Sequence, residues 1–416
     1  MTVVQINVTC DKGSTGRICA AVSRLLDGAG VENYILHADG SAAHPSGSAA
    51  HPSGSAEHPR GIAYTNRREI KMQALASRVR GNYGFNSRQA THRLLRLLDT
   101  LSPDVVHLHN LHGHNLHLGM LLSYLRKRRI KTFWTFHDCW AFTAYCPYYD
   151  AVGCDQWKTE CRKCPSWRRY SWFFDRSRRL FHQKREAVKD LDLTVVAPSL
   201  WIAEQAKSSF FENYPIRVIR NGIDLGVFCP TESHIRQRYN LTEYRVLLGA
   251  AYKWSARKGL DVFGALAGAL DDSYRIILVG VTEEQKKQLP PSVICLPRVH
   301  DPKELAALYT AADVFINPTR EETLGLTNIE ALACGTPVIT FDRGGSPECV
   351  DETCGAVVPC DDIPALVDAI HRVTREHAFS PEACRAYASR FNAEDAFGEY
   401  VKLYGIAYES TATETI

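Results

Sequence analysis

No stretch of the 416-residue chain stays apolar for the roughly 20 residues that a membrane-crossing helix needs. No basic segment precedes the first apolar run, Val3-Val4-Gln5-Ile6-Asn7-Val8, so that run reads as a strand and not as a signal peptide. No recognisable nucleic-acid module is present, which excludes nucleic acid as the expected partner. No Asp-x-Asp pair stands at a predicted strand end, so no catalytic metal is implied. The expected location is cytoplasmic.

What is present is unevenly charged. The net charge is +3, from 49 Lys and Arg against 46 Asp and Glu. Residues 1–228 hold 31 basic and 19 acidic residues, a net of +12, and residues 229–416 hold 18 and 27, a net of −9. A basic N-terminal half suits a phosphate-bearing acceptor or an anionic membrane surface; incidental surface charge is the plainer reading. The segment Arg168-Arg169-Tyr170-Ser171-Trp172-Phe173-Phe174-Asp175-Arg176-Ser177-Arg178-Arg179 interleaves cations with large aromatics. That composition fits a bilayer headgroup region, or a helix with its aromatics turned to the core. The 14 cysteines are expected to be reduced, with Cys19, Cys295 and Cys334 as packing residues.

Apolar strands alternate with helical periodicity along the chain, which predicts α/β structure with parallel doubly wound sheets. Strands are expected at 3–8, 34–37, 105–109, 132–136 and 193–197, then at 245–251, 275–280, 293–296, 313–317 and 337–341. Helices are expected at 16–29, 88–101, 119–128 and 176–190. The Asn221-Gly222 turn divides the two series. This gives an N-terminal Rossmann-like domain over 1–222, a second over 223–394, and a helix and tail over 395–416. Residues 40–60 repeat Gly-Ser-Ala-Ala-His-Pro-Ser in tandem and read as a disordered insertion. Its spaced His44, His51 and His58 are weak metal candidates beside a simple repeat expansion.

Several motifs carry chemistry. Asp11-Lys12-Gly13-Ser14-Thr15-Gly16-Arg17 follows the first strand and opens a helix, where glycine lets backbone amides face a ligand. His137 and Asp138 close a strand, where ligand-facing residues of parallel sheets collect. The histidines His107, His109, His112, His114 and His117 read as cleft lining and packing in preference to a metal site. Cys146-x7-Cys154-x6-Cys161-x2-Cys164 lies in a loop-rich excursion over 139–167 with little core of its own. Four thiolates in 19 residues satisfy tetrahedral zinc ligation; disulfides and free thiols stay open.

The string Arg320-Glu321-Glu322-Thr323-Leu324-Gly325-Leu326-Thr327-Asn328-Ile329-Glu330-Ala331-Leu332-Ala333-Cys334-Gly335-Thr336-Pro337-Val338-Ile339 places two carboxylates eight positions apart around a helix start. Amides at Gly325, Leu326 and Thr327 can face a diphosphate. Taken alone, the carboxylates could be solvated charges. The whole string resembles the E-x7-E region of family 4 retaining glycosyltransferases, and Asn221-Gly222-Ile223-Asp224 resembles their interdomain linker. The resemblance implies the GT-B fold, two Rossmann-like domains facing across a cleft. It implies that the first domain takes the acceptor, the second the nucleotide sugar, and that the last helix crosses back. It implies that Glu322 holds a donor sugar, Glu330 the ribose, and Lys253 with Lys258 the diphosphate. Lys253 stands where family members often carry arginine, which loses bidentate geometry. It further implies His137 near the reacting centre, with Gly13, Gly16 and Arg17 beside the donor.

The expected activity is retaining transfer of a sugar from a nucleotide diphosphate sugar to a glycan, lipid-linked acceptor, in bacterial capsule, exopolysaccharide or O-antigen synthesis, with no cofactor needed for catalysis. The cysteine-bearing insert resembles a colanic-acid branch of the family. The enzyme is expected at the inner face of the cell membrane as a peripheral protein. A GT-B-fold sugar-nucleotide epimerase or hydrolase, and a non-catalytic assembly scaffold, are the competing readings.

Overall fold

The computed structural model describes residues 1–38 and 58–408. The chain divides into two compact units, Met1–Ile219 together with the residues from Phe397 onward, and Arg220–Ala396. Each is a parallel sheet flanked by helices.

In the first unit the strands are β1 (Thr2–Asn7), β2 (Glu32–His37), β3 (Gly61–Ala63), β4 (Val105–Leu108), β5 (Lys131–Thr135), β6 (Leu193–Ala197) and β7 (Ile216–Val218). They lie in the order β3-β2-β1-β4-β5-β6-β7, all parallel. The helices are α1 (Gly13–Gly28), α2 (Arg67–Arg80), α3 (Arg88–Leu101), α4 (Leu118–Arg128), α5 (Ser177–Val188) and α6 (Leu200–Lys207). Central strands bury both faces, as parallel sheets covered on two sides do, and carry a few buried polar side chains such as Gln5, Asn7 and His107. Helix α1 buries Ile18, Cys19, Val22 and Leu26, one helical stripe.

The second unit orders its strands β10-β9-β8-β11-β12-β13, also all parallel. They are β8 (Arg245–Ala250), β9 (Tyr274–Val279), β10 (Val293–Leu296), β11 (Val314–Asn317), β12 (Val338–Phe341) and β13 (Gly355–Val358). Its helices are α7 (Ile235–Arg238), α8 (Leu260–Ala269), α9 (Glu283–Lys286), α10 (Pro302–Ala311), α11 (Leu326–Ala333), α12 (Ile363–Arg375), α13 (Pro381–Ala388) and the start of α14 (Ala393–Leu403). The strand order reverses between β1 and β4 in one unit and between β8 and β11 in the other. Crevices outside the strand ends at such reversals are where open α/β sheets bind ligands.

The two Rossmann-like units match the predicted fold class. The sequence expectation lacks strands β3, β7 and β13, helices α2 and α6, and most helices of the second unit. Strands β3 and β7 are three-residue edge strands, too short to show a period. Strand β13, four residues long, pairs with β12. Helix α2 fully buries only Ser77 and half-buries Ile70 against the core, while Met72, Leu75 and Val79 face outward. The repeat over 40–57 lies outside the described residues, as does the tail beyond Tyr408. His58, at the repeat's edge, accepts a backbone bond from Gly61 at 2.8 Å.

The 139–167 excursion packs into the core of its unit: Trp140, Phe142, Tyr145 and Trp157 are buried within the main hydrophobic cluster of the first unit. Lys184 of α5 is fully buried beneath it, and its ammonium donates to the carbonyl oxygens of Trp140 at 2.5 Å and Thr143 at 2.9 Å. It also lies 3.5 Å from the centroid of the Trp140 ring. Trp140 and Trp157 lie in short 3-10 turns and Phe142 and Tyr145 in irregular loop, so none of them shows a readable period.

Candidate active site

In the second unit, the loop after β8 and the loop after β11 meet. Lys258 forms an ion pair with the Glu322 carboxylate, both half-buried. Burial alone would push Glu322 up. The Lys258 ammonium, the Arg257 cation and the Thr323 N–H outweigh it and hold the carboxyl below its usual range. Arg257 donates to the Glu321 carbonyl at 2.7 Å, and Arg320 pairs with both Asp261 and Asp361. These bonds fix the two loops against each other. Gly259 has no alternative residue, because a Cβ there would stand 2.2 Å from the Pro318 carbonyl oxygen. Lys253, in the same loop as Lys258, is exposed.

Gly325 adopts φ +91° and starts α11 with no side-chain cap, so the amides of the first turn, Leu326 and Thr327 included, are not occupied by a capping side chain. Glu330 lies further along the same helix, where its carboxylate accepts from the Tyr309 hydroxyl at 3.0 Å. Behind the turn runs a buried polar network that sequence reasoning missed. Asn317 at the end of β11 donates to Asn328 at 2.7 Å, Asn328 donates to the Ser346 hydroxyl at 3.0 Å, and Ser346 bonds Thr340 of β12 at 2.7 Å. The sequence signal was Gly344-Gly345 after the β12 segment. A Cβ at Gly344 would lie 2.1 Å from the Glu322 carbonyl, and the Gly345 N–H donates to that same oxygen at 2.9 Å.

In the first unit, Gly13 begins α1 at φ +71°, again without a side-chain cap. Gly16 is packed so closely that a Cβ would stand 2.7 Å from the Thr9 hydroxyl. Arg17 is exposed. Asn7, at the end of β1, donates to the Thr9 carbonyl at 2.8 Å and accepts from the Asn110 N–H at 3.2 Å, tying this loop to the one after β4.

The histidines form a relay. Gln5 donates its amide N–H to the Cys19 carbonyl at 3.0 Å, so its Oε1 faces His109 Nε2 at 3.2 Å and requires a proton there. Burial, aided by His107 and His137, pulls His109 well below the ordinary imidazole range, so it is neutral and its Nδ1 is bare. That Nδ1 then accepts from His137 Nε2–H at 3.0 Å. Burial likewise lowers His137 to about 4, so it is neutral and its Nδ1 is the acceptor. Next to it, His112 Nε2 meets Asp138 Oδ2 at 2.7 Å, and Asp138 also accepts from the Trp140 N–H at 2.9 Å. His109, His112, His137 and Asp138 line one shallow pocket. His107 is turned away, bonded to Thr135 at 2.7 Å and to Tyr404. His117 instead caps α4.

Cys146, Cys154, Cys161 and Cys164 line a single cavity with Trp157, and Cys146 and Cys164 share a thiol hydrogen bond. Among the described residues, no group of three or more His, Cys, Asp or Glu side chains is gathered to hold a metal ion. The zinc ligands expected from the sequence are therefore grouped around one cavity and not assembled. Cys19 and Cys334 are buried packing residues, as expected.

The chain is thus two parallel Rossmann-like units, the second with a cation-paired glutamate beside an uncapped helix start. A family model described as Glycosyltransferase Family 4 matches residues 16–227, and one described as Glycosyl transferases group 1 matches residues 244–376. The chain belongs to Glycosyltransferase Family 4. It is 25% identical over 327 residues to the putative colanic acid biosynthesis glycosyl transferase WcaC of Escherichia coli K12, covering 73% of this chain and 77% of that protein. It is 30% identical over 226 residues to the D-inositol 3-phosphate glycosyltransferase of Saccharomonospora viridis, covering 48% of this chain and 52% of that one. Among solved structures, sucrose-phosphate synthase of Thermosynechococcus elongatus matches with a TM-score of 0.69 at 19% identity, covering 97% of this chain and 98% of that one. Anabaena HepE, solved in complex with UDP and glucose, matches with a TM-score of 0.67 at 15% identity, covering 97% and 99%. These likenesses establish the GT-B fold.

The neutral histidines make a pH prediction. An unfolded histidine titrates near 6.5, whereas His137 does so at about 4 and His107 at about 3, both lowered by burial. Below about pH 6.5 the unfolded chain binds protons that the folded chain refuses, so stability is present at neutral pH and falls as pH drops from about 6.5 towards 4. The melting temperature should decline across that window, and His137→Gln should flatten the decline. An equally steep decline in the variant would show that His137 does not contribute to it.

Proposed function

We propose that the protein transfers a sugar, with retention of anomeric configuration, from a nucleotide diphosphate sugar to a lipid-linked glycan acceptor in bacterial exopolysaccharide, capsule or O-antigen synthesis. The observation that carries this reading is the Lys258–Glu322 pair at the mouth of the β8/β11 reversal, beside the uncapped start of α11. Lys258 is placed to offset charge that develops on a leaving diphosphate, and preorganised cations of this kind act most strongly where water is excluded. Leu326 and Thr327 amides would add to that, with Lys253 reaching from the exposed side of its loop. Glu322, kept ionised, would accept hydrogen bonds from sugar hydroxyls, and Glu330 from ribose. His137 Nδ1 would accept from a sugar hydroxyl, with Gly13, Gly16 and Arg17 beside the donor. On this reading the donor phosphate itself takes the acceptor proton on the face that the nucleotide leaves, so no side-chain base is needed. The relatives' printed roles in colanic acid and lipopolysaccharide core synthesis support the glycan class, and the UDP and UDP-glucose complexes of HepE support the donor class. No helix among the described residues is long and apolar enough to cross a membrane. The +12 charge of residues 1–228 supports peripheral attachment to the anionic inner face of the cell membrane.

Glu322→Ala and Glu330→Ala should each lower kcat/KM by roughly 30- to 1,000-fold, from loss of a charge-assisted hydrogen bond worth about 2–4 kcal/mol. The donor is found first by thermal shift against a panel of nucleotide sugars. Wild-type rates in both variants would refute the donor site. Product released from donor without acceptor would favour an epimerase or hydrolase, and a folded protein that turns over no donor would favour a scaffold.

The proposal includes a structural zinc ion that draws Cys146, Cys154, Cys161 and Cys164 together within their shared cavity. Four thiolates would leave no open coordination position, so the ion would take no part in transfer. Protein purified under reducing conditions should contain about one zinc per chain. Chelation should lower the melting temperature without unfolding the 139–167 segment, because Trp140, Phe142, Tyr145 and Trp157 hold it in the core independently. Metal-free protein of unchanged stability would remove the site.

A further inference from the structure

Helix α2 is built inside out. Its Met72, Leu75 and Val79 are 69%, 54% and 40% exposed among the described residues, while its buried residue is Ser77. Positions i, i+3 and i+7 fall on one face of a helix, so these three form a single outward stripe. A second exposed apolar group, Trp172, Phe173 and Phe174, lies in the non-helical segment before α5, with Phe173 63% exposed. The two groups are joined. The Trp172 N–H donates to the Arg78 carbonyl at 2.8 Å, and a Cβ at Gly81, the helix's left-handed C-cap, would lie within 3.3 Å of Ser171, Phe174 and Arg176. Six of the large exposed apolar side chains of the described chain thus sit on two segments bonded to each other.

Cations surround them. Helix α2 carries Arg67, Arg68, Lys71, Arg78 and Arg80 against one acid, Glu69, which is paired with Arg93. On the other side, Arg168, Arg169, Arg178 and Arg179 are exposed, and the one exposed acid between them, Asp175, is engaged by the Cys164 and Ser177 amides. Scattered exposed apolar residues are ordinary, but a contiguous patch rimmed by one sign of charge marks an interaction surface. An apolar stripe with flanking cations and aromatics matches a bilayer interface, where aromatics sit at headgroup level and lysine and arginine meet anionic phosphates.

We propose that the α2 stripe and the Trp172–Phe174 segment form one face that docks on an anionic lipid bilayer, inserting Met72, Leu75, Val79, Phe173 and Phe174 among the headgroups. The proposal rests on the peripheral-membrane part of the function above and assigns it a surface. It is independent of the donor site.

The full-length protein is tested by co-sedimentation with vesicles of phosphatidylcholine alone and of phosphatidylcholine with phosphatidylglycerol. Wild type should partition onto the anionic vesicles at least about tenfold more strongly, and salt should weaken that preference. Met72→Ser with Leu75→Ser, and separately Phe173→Ser with Phe174→Ser, should each reduce partitioning about tenfold or more. Because these side chains are exposed, melting temperature and donor-induced thermal shift should be unchanged; the single Met72→Ser serves if a double variant is unstable. Wild-type partitioning by both double variants overturns the face while leaving membrane attachment standing. Wild type that ignores lipid charge overturns both, and leaves the donor site to its own test. A lipid-free dimer that these substitutions dissociate assigns the face to a second copy of the chain and overturns the proposal.

Discussion

The geometry around Lys258 and Glu322 depends on four neutral polar side chains that are all buried. Asn317, Asn328, Ser346 and Thr340 satisfy one another between β11, α11 and the turn after β12. A buried amide left without a partner costs about 1–3 kcal/mol, so the chain has a strong preference for the one arrangement in which all four are paired. That arrangement sets where α11 begins, hence where Gly325 turns and which way the first amides point. It also brings Gly344 against the Glu322 backbone so closely that only hydrogen fits. The ion pair of Glu322 with Lys258 thus rests on this uncharged network together with the Arg257 and Arg320 bonds that join the two loops.

The first unit solves a different problem by related means. Its strand ends are crowded with imidazoles, and like charges there would repel. Burial keeps His107, His109 and His137 neutral. The orientation of a single amide, Gln5, propagates through two rings to decide which nitrogen of His137 carries the proton. One unit thus offers paired charge at its strand ends and the other offers oriented neutral acceptors.

Much of this was legible in the sequence because parallel sheets buried on both faces leave long apolar runs between helical periods. The central strands, α1, α3, α4 and α5 show that pattern, and the string from Arg320 to Ile339 carried the family. Lys258 and Glu322 are 64 residues apart, and their pairing was reachable only through the resemblance. The buried amide network was illegible because asparagine, serine and threonine in a loop look the same whether solvated or satisfied internally. Helix α2 was missed for the opposite reason: its apolar stripe faces outward, so hydrophobic periodicity gave no core to anchor it. The packing of the cysteine excursion is unreadable because its aromatics sit in 3-10 turns and irregular loop without a period. Tyr145, Trp157 and Lys184 reveal their common burial only in three dimensions.

The first unit is assembled from two distant parts of the chain. Tyr400 and Tyr404, near the end of the described residues, are buried in it, with Tyr404 bonded to His107 and Tyr400 within 3.4 Å of the Thr135 hydroxyl. During synthesis, residues 1–219 leave the ribosome first, yet His107 waits for its tyrosine neighbours, made after the whole second unit. The earliest unit to emerge is therefore the last to be finished. Quality control of a nascent chain would find the N-terminal half incomplete for about as long as translation takes to cross the C-terminal half, on the order of ten seconds or more at typical elongation rates.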